Sequence, residues 1–344
     1  MAFGRLEEFF KANPGFDAVL LASWDASASP DANFFYYSEI AMDRGTLIAR
    51  RGETPSLIAN PLNLTLAKEK FPGNVLEFSR GGYVKTLGRE LSGCKKIAFS
   101  KSSATVSFFE NSVKAADGEI ADASRLFQLQ RARKSERETE SVRRAAETAR
   151  KAFEGLELKP GASELEAKRK IWALVLEAGC EASFPPIAAF GGNARFPHAE
   201  SGERKLEAGE IVLVDWGAKS GGYCSDHTRC FFVGEPDRRQ AEAYEKLKAI
   251  FGEILKEIRP GRKVSEISAA YREYLHCSAL DFPSHSLGHG IGLEVHEYPS
   301  FADNSPDEIV ENCTLAIEPS TYCADFGARF EETVLVTKSG AKII

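Results

Sequence analysis

No run of apolar residues in this 344-residue chain reaches the length of a membrane span, so a helix anchored in a bilayer is not expected. Paired C-x-x-C spacing is absent as well. The seven cysteines, at 94, 180, 224, 230, 277, 313 and 323, are odd in number and scattered, and read as free thiols of a reducing cytoplasm, not as a disulfide framework. Positive charge is not in excess. A net charge of -6 and a pI near 5.7 argue against nucleic acid or an anionic membrane as partner. The N-terminus offers no signal peptide, because residues 1–11 form an amphipathic helix start with acids inside it. The first half holds no histidine, and its acids show no arrangement that chemistry could use. What is present is an ordinary globular composition, 43% hydrophobic and 27% charged, in a chain too long for one core. Two domains are therefore expected.

Residues 1–127 alternate strand and helix patterns. Asp17–Ala22 reads as a buried strand with the aromatic segment Asn33–Tyr37 near it, and Thr46–Ala49 and Ser56–Ala59 read as a hairpin. Asn60-Pro61 is expected to cap a helix through Phe71, and Lys96–Ser100 is a further strand. The role expected of this half is shape, covering or dimerising the other. From about residue 128 the character changes. Ser135 with Glu138 and Ser163 with Glu166 form capping boxes for two helices, stopped at Pro160-Gly161 and Gly179. Asp237 with Gln240 opens a third helix, Pro260-Gly261 stops it, and Ser265-Glu266 opens a fourth. Each helix pair leads through a loop, the first with His198 and the second histidine-rich, into an acidic hairpin. This is an internal duplication, expected to pack as one sheet with helices behind it about a pseudo-twofold axis.

The chemistry lies in the hairpins. Residues 211–216 and 223–233 are β-rich runs flanking Lys219-Ser-Gly-Gly222, and folding about the Ser220–Gly221 bond sets Asp215 opposite Asp226. The second copy carries Glu318, followed by Pro319, on one arm and Glu331 on the other. Four carboxylates converging on one place need cations, and paired divalent metals are the ordinary answer. Between the hairpins lies Ser284-His-Ser-Leu-Gly-His-Gly-Ile-Gly-Leu-Glu-Val-His-Glu297. Its glycines are of the kind that let backbone approach a ligand, and His289 as neutral imidazole suits a mixed nitrogen and oxygen metal site. His285 and His296 would flank it. No Lys-Ser/Thr follows the glycines, so a phosphate loop is set aside.

The Asp-x-Gly-Ala and Ser-Asp-x-Thr-Arg arms, the Gly-His-Gly-Ile-Gly-x-x-x-His-Glu block, the Glu-Pro-x-x-Tyr arm and the Arg-x-Glu arm together resemble the pita-bread metallopeptidases. The long front half makes the chain similar to the Xaa-Pro branch, prolidases and proline aminopeptidases with a creatinase-like N-terminal domain. The resemblance implies an α/β (α+β) architecture: a creatinase-like domain over 1–127 and a pita-bread catalytic domain over 128–344. It implies metal ligation by Asp215, Asp226, His289, Glu318 and Glu331, with Asp226 and Glu331 bridging two divalent ions (manganese, cobalt, iron or zinc). By the same resemblance Glu318 relays the proton, His296 donates to the oxyanion, and His198 holds the substrate near the leaving nitrogen. Phe184, His285 and Arg329 are implied on the substrate side, Phe184 at the proline pocket and Arg329 as a substitute carboxylate clamp, although the family more often uses that arginine to support the metal site. The substrates implied are short proline-containing peptides, and the assembly a homodimer in the cytoplasm.

Several positions depart from the family pattern. Ser320 stands where glycine is usual after Glu-Pro, and His227 where an apolar residue is usual. Ser300 follows Pro299 where some prolidases carry an arginine that would clamp the proline carboxylate. Cys224 and Cys230 read as packing residues. The leading reading is Xaa-Pro dipeptide hydrolysis. An Xaa-Pro aminopeptidase, or a small-molecule hydrolase or lyase on the same fold, are the alternatives. A binding module that has lost its metals is set aside, because all five ligand-type residues are present.

Overall fold

In the computed structural model, which describes residues 3–24, 30–78 and 81–344, the chain divides into two compact units, Met1–Arg131 and Ala132–Ile344. Met1 and Ala2 of the helix expected over 1–11 lie outside the described residues; the rest of it is α1 (Gly4–Ala12). The first unit is built on β1 (Ala18–Ser23), β2 (Gly45–Arg50), β3 (Ser56–Ala59), β4 (Asn74–Glu77), β5 (Lys96–Phe99) and β6 (Glu119–Asp122). They form one mixed sheet in the order β4-β3-β2-β1-β5-β6. The central strand β1 pairs antiparallel with β2 and parallel with β5, so its run Ala-Val-Leu-Leu is buried on both faces. Asp17 fastens its start to β5 by accepting the backbone N–H groups of Lys95 and Lys96 at 2.8 and 2.9 Å.

Two local expectations change in this unit. The aromatic segment 33–37 is the core of a helix, α2 (Ala32–Ser38), capped by Asp31, whose carboxylate accepts from Phe34 N–H. Asn60 caps only a turn, through a 2.9 Å bond from Asn63 N–H. The helix α3 (Leu64–Lys70) starts later, at Asn63. Helices α4 (Tyr83–Leu91), α5 (Val106–Ala115) and α6 (Ser124–Ala132) complete the unit.

The second unit shows the duplication in its helix pairs and central strands. Its first repeat runs α7 (Glu136–Glu154), α8 (Glu164–Glu177), β7 (Glu181–Ala182), β8 (Ile187–Phe190), β9 (Ile211–Trp216), β10 (Ala218–Ser220), β11 (Tyr223–Cys224) and β12 (His227–Phe232). The second runs α9 (Arg238–Glu257), α10 (Val264–Cys277), β13 (Gly288–Gly290), β14 (Glu297–Ser300), β15 (Thr314–Ile317), β16 (Ser320–Tyr322), β17 (Gly327–Arg329) and β18 (Glu332–Thr337), with β19 (Gly340–Ile343) at the edge. The order β12-β9-β8 in one half repeats as β18-β15-β13 in the other, with β7 and β14 lacking counterparts. Both Pro-Gly stops place glycine in the left-handed region, Gly161 at φ +90° and Gly261 at φ +82°. Each glycine donates its N–H at 2.8 Å to the loop before its own repeat's central strand, at Leu206 and Ile309. The helix starts differ. Ser135 and Ser163 form complete capping boxes, whereas α10 begins at Val264 behind Lys263, without a side-chain cap.

The halves do not merge into one continuous ladder as the duplication suggested. They form separate sheets joined at the bridge Thr228↔Glu331, where Glu331 N–H donates to Thr228 O at 3.1 Å. Helices cover the outer faces. Val212, Val214 and Trp216 of β9 pack with Ala149 and Ala152 of α7, and the small side chains let the Trp216 indole donate to Ala149 O at 2.8 Å. Ile211 and Leu213 turn the other way, into a core shared with Leu247, Ile250 and Ile254 of α9. Asp215 continues that odd-numbered face towards the seam.

Candidate active site

The first hairpin does not fold about Ser220–Gly221. Its reversal is the pair Gly221-Gly222, at φ +57° and +87°, with Ser220 opposite Tyr223. The register therefore puts Asp215 opposite Thr228, not opposite Asp226. Because the shift is two residues, parity is kept, and Asp226 remains on the face of Asp215 as a diagonal neighbour. The second hairpin pairs Ile317 with Glu332 and Ser320 with Arg329 on either side of a break. Carried across it, the same register sets Glu318 against Glu331. Pro319 sits at that break, and its carbonyl accepts from Phe330 N–H at 3.1 Å.

His289 comes from β13, between β14 and β15. The flanking glycines serve this packing, not a ligand's approach. A Cβ on Gly288 would lie 2.1 Å from Ala316 O, and one on Gly290 2.1 Å from Tyr298 O. His289 Nδ1 lies 3.1 Å from Gly290 O, which only accepts, so Nδ1 carries the proton and Nε2 offers its lone pair. That Nε2 is 3.7 Å from Asp226 Oδ2 and 3.9 Å from Glu318 Oε1. Asp226, His289 and Glu331 each present one ligand atom within 4.8 Å of the others.

The electrostatics of the cluster demand a cation. Burial, then the charges of Glu331, Asp215 and Glu318, hold the Asp226 carboxyl well above its usual range. Burial and Glu331 do the same to Glu318, and burial and Asp215 raise Glu331 to about 7. Asp215 is raised by burial against the pull of Arg329. Burial depresses His289 to about 3 and so keeps it neutral. Asp215 Oδ1 and Asp226 Oδ1 are buried and meet no protein donor among the described residues. A clustered set of carboxylates with orphaned oxygens and one neutral imidazole is the donor set of a hard or borderline divalent ion. The residues fit the metal the fold implies.

His296 stands beside His289, ring centroids 4.2 Å apart, but it is exposed. His198 is exposed in the loop after the 3₁₀ turn Gly191–Arg195, and its charge is felt at Asp215, His285 and His296. His285 is half-buried, with Nδ1 2.8 Å from Ser286 O and 3.5 Å from Glu318 Oε2. Phe184 is half-buried in the loop after β7. It follows Ser183, whose hydroxyl ties Ala218 O and Ser225 O at 2.7 and 2.9 Å.

Of the two places expected for Arg329, the substrate side and support of the metal site, its bonds fit the second. It is buried, and all three of its nitrogens bond inside the protein: Nη2 to Asp215 Oδ2 at 2.5 Å, Nε to Thr228 Oγ1 at 2.8 Å, and Nη1 to Tyr322 OH at 3.1 Å and Pro197 O at 3.4 Å. A guanidinium so engaged supports the acids and is not offered to a substrate carboxylate. Two residues of this network, Thr228 and Tyr322, were given no role by sequence reasoning. Thr228 donates to Glu331 Oε2 at 2.6 Å while accepting from Arg329. The signal was its position two residues after Asp226, on the same strand face. Cys224 and Cys230 are buried, with thiols pushed up by burial to about 11 and about 12, as packing residues are.

Residues 140–338 match metallopeptidase family M24, and residues 5–133 match the creatinase/prolidase N-terminal domain. An Xaa-Pro dipeptidase of Pyrococcus horikoshii is 30% identical over 98% of this chain and 95% of its own. Among solved structures, an Xaa-Pro dipeptidase from Bacillus anthracis superposes with a TM-score of 0.90 at 27% identity, covering 100% of this chain and 97% of that one. An X-Pro aminopeptidase from Thermotoga maritima gives 0.87 at 26% identity, covering 96% and 95%.

Proposed function

The chain belongs to metallopeptidase family M24, and from that premise we propose an Xaa-Pro dipeptidase that works with two divalent ions. The observation that carries the reading is the buried cluster at the hairpin seam, where Asp226, His289 and Glu331 offer ligand atoms within 4.8 Å of one another. Asp215, Asp226, His289, Glu318 and Glu331 would hold the ions. When bound, the ions supply Lewis-acid polarisation of the scissile carbonyl and water that ionises near neutral pH.

The chain's own groups do the rest. Glu318 takes the proton of the attacking water and returns it to the proline nitrogen as the C–N bond breaks. His296 donates to the carbonyl oxygen as negative charge gathers there. His198 holds the substrate near the leaving nitrogen, and Phe184 borders the proline ring. Arg329 and Thr228 keep Asp215 and Glu331 aimed inward, and His285 steadies Glu318. The scissile bond is a tertiary amide with no N–H, so a site for it needs no partner for that hydrogen.

One observation favours a second reading, an Xaa-Pro aminopeptidase acting on longer peptides. Ser300 stands where a carboxylate-clamping arginine would, and Arg329 is committed to Asp215. Measuring kcat/KM for Met-Pro, Met-Pro-Ala and Met-Ala on protein loaded in turn with manganese, cobalt, iron and zinc tests both. Met-Pro is expected to be the best substrate, with no turnover after chelation. Preference for Met-Ala overturns proline specificity, and clear preference for Met-Pro-Ala makes the enzyme an aminopeptidase. The seven free cysteines support a reducing cytoplasm. A homodimer completes the proposal, to be checked by light scattering. Among the described residues no helix is long and apolar enough to cross a membrane.

A further inference from the structure

Ser320 is fully buried, and it replaces the glycine expected after Glu-Pro. Its backbone is fixed from α10, where the Tyr271 hydroxyl lies 2.9 Å from Ser320 N and 3.2 Å from Ser320 O. Its side-chain oxygen lies 3.0 Å from His285 Nε2. The other ring nitrogen, Nδ1, lies 2.8 Å from Ser286 O. A carbonyl can only accept, so Nδ1 carries the ring proton and Nε2 is an acceptor. In its contact with Nε2 the Ser320 hydroxyl is then the donor, sharing the single lone pair with a second hydroxyl. Tyr322 OH, which accepts from Arg329 Nη1, reaches the same Nε2 at 3.0 Å. Two hydroxyls thus grip the outer edge of the ring, while its Nδ1–H edge faces Ser286 O and, at 3.5 Å, Glu318 Oε2.

We propose that Ser320 is a positioning residue that pins the His285 ring from its outer edge, so that the Nδ1–H edge stays directed at Glu318. A glycine there would leave the ring one donor instead of two. The inference rests on the reading of Glu318 as the proton-relaying carboxylate. Its physical core, the Ser320 to His285 bond, can be tested without turnover.

The test uses Ser320→Ala and Ser320→Thr in the full chain with 15N-labelled histidine, the His285 resonances being assigned by their loss in His285→Gln. In metal-free Ser320→Ala the Nε2 resonance should move towards that of an acceptor nitrogen with fewer donors, while Nδ1 keeps its proton. Metal-loaded Ser320→Ala should lose roughly 3- to 10-fold in kcat, the worth of one neutral hydrogen bond, with KM and metal content unchanged. Ser320→Thr, which keeps the hydroxyl, should restore both readouts. An unmoved Nε2 resonance in folded Ser320→Ala overturns the assignment. So does a kcat loss that Thr fails to restore although its Nε2 resonance is normal. If the wild type cleaves no Xaa-Pro peptide, the proposed function fails instead, and the resonance still decides whether Ser320 grips His285.

Discussion

Two histidine rings 4.2 Å apart take different parts because their surroundings differ. His289 is buried, its proton is committed to Gly290 O, and its free nitrogen faces acids. His296 is exposed, and the charges it feels are those of His198, Asp215 and Glu294. His289→Ala should therefore abolish metal loading. His296→Ala should keep its metal and lose roughly 10²–10³-fold in kcat. Metal analysis beside steady-state kinetics separates the two, and loss of metal from His296→Ala would show that ring to be a ligand. Arg329 carries the complementary lesson. Its chemical type suited a substrate carboxylate, but Asp215, Thr228, Tyr322 and Pro197 occupy it.

Between elements, the seam of β12 and β18 carries opposite contents on its two faces. Asp226 and Glu331 point to one side, so their chain neighbours His227 and Glu332 point to the other. There His227 Nδ1 lies 3.1 Å from Glu332 Oε2, and Arg229 pairs with the same carboxylate. Burial works to raise the Glu332 carboxyl, but His227 and Arg229 outweigh it and hold it below its usual range. His227, departing from the apolar residue expected there, has its pKa lowered by burial and donates Nδ1–H to Glu332 as a neutral ring, while Arg229 and Arg150 supply the charge of a network that fastens the two hairpins behind the acids. Removing one member of such a network leaves uncompensated buried charge. Glu332→Ala should destabilise the protein by about 3–5 kcal/mol, and Glu332→Gln by less, since it keeps an acceptor. Urea denaturation of metal-free protein measures both. A Glu332→Ala variant as stable as wild type would show the network to be idle.

At the scale of the whole molecule, the acid cluster sets how stability depends on metal and pH. A carboxyl whose folded pKa lies above its unfolded value favours folding at low pH, and that advantage is lost as pH rises through the folded pKa. Asp226, Glu318 and Glu331 are all of this kind, Glu331 at about 7. Metal-free protein should therefore lose stability as pH rises from roughly 4.3, the unfolded glutamate value, towards neutrality. Bound divalent ions cancel the repulsion and stabilise by mass action. The difference in Tm between loaded and chelated protein should widen from pH 5 to pH 7.5, as thermal scans across that range would record. A gap independent of pH would mean that these carboxyls are not what the metal neutralises.

Much of this was legible in the chain itself. Hydrophobic periodicity, the paired capping boxes and the Pro-Gly stops are local signals, so the repeated helix–helix–hairpin unit could be read directly. The four acids and His289 sit in motifs whose spacing survives folding. Parity along a strand is also local, which is why Asp215 and Asp226 share a face even though the turn lies one residue further on than the glycines suggested. What tertiary structure decided are the long-range partnerships. Thr228 meets Glu331, Arg329 turns inward to Asp215, His227 finds Glu332, and Gly288 and Gly290 yield to neighbouring strands instead of a ligand. The first three join residues more than a hundred positions apart across the seam between the sheets, and the glycines meet the strands on either side of β13. No local pattern encodes such a contact, because its energy exists only once both hairpins are packed and the buried charges must find one another.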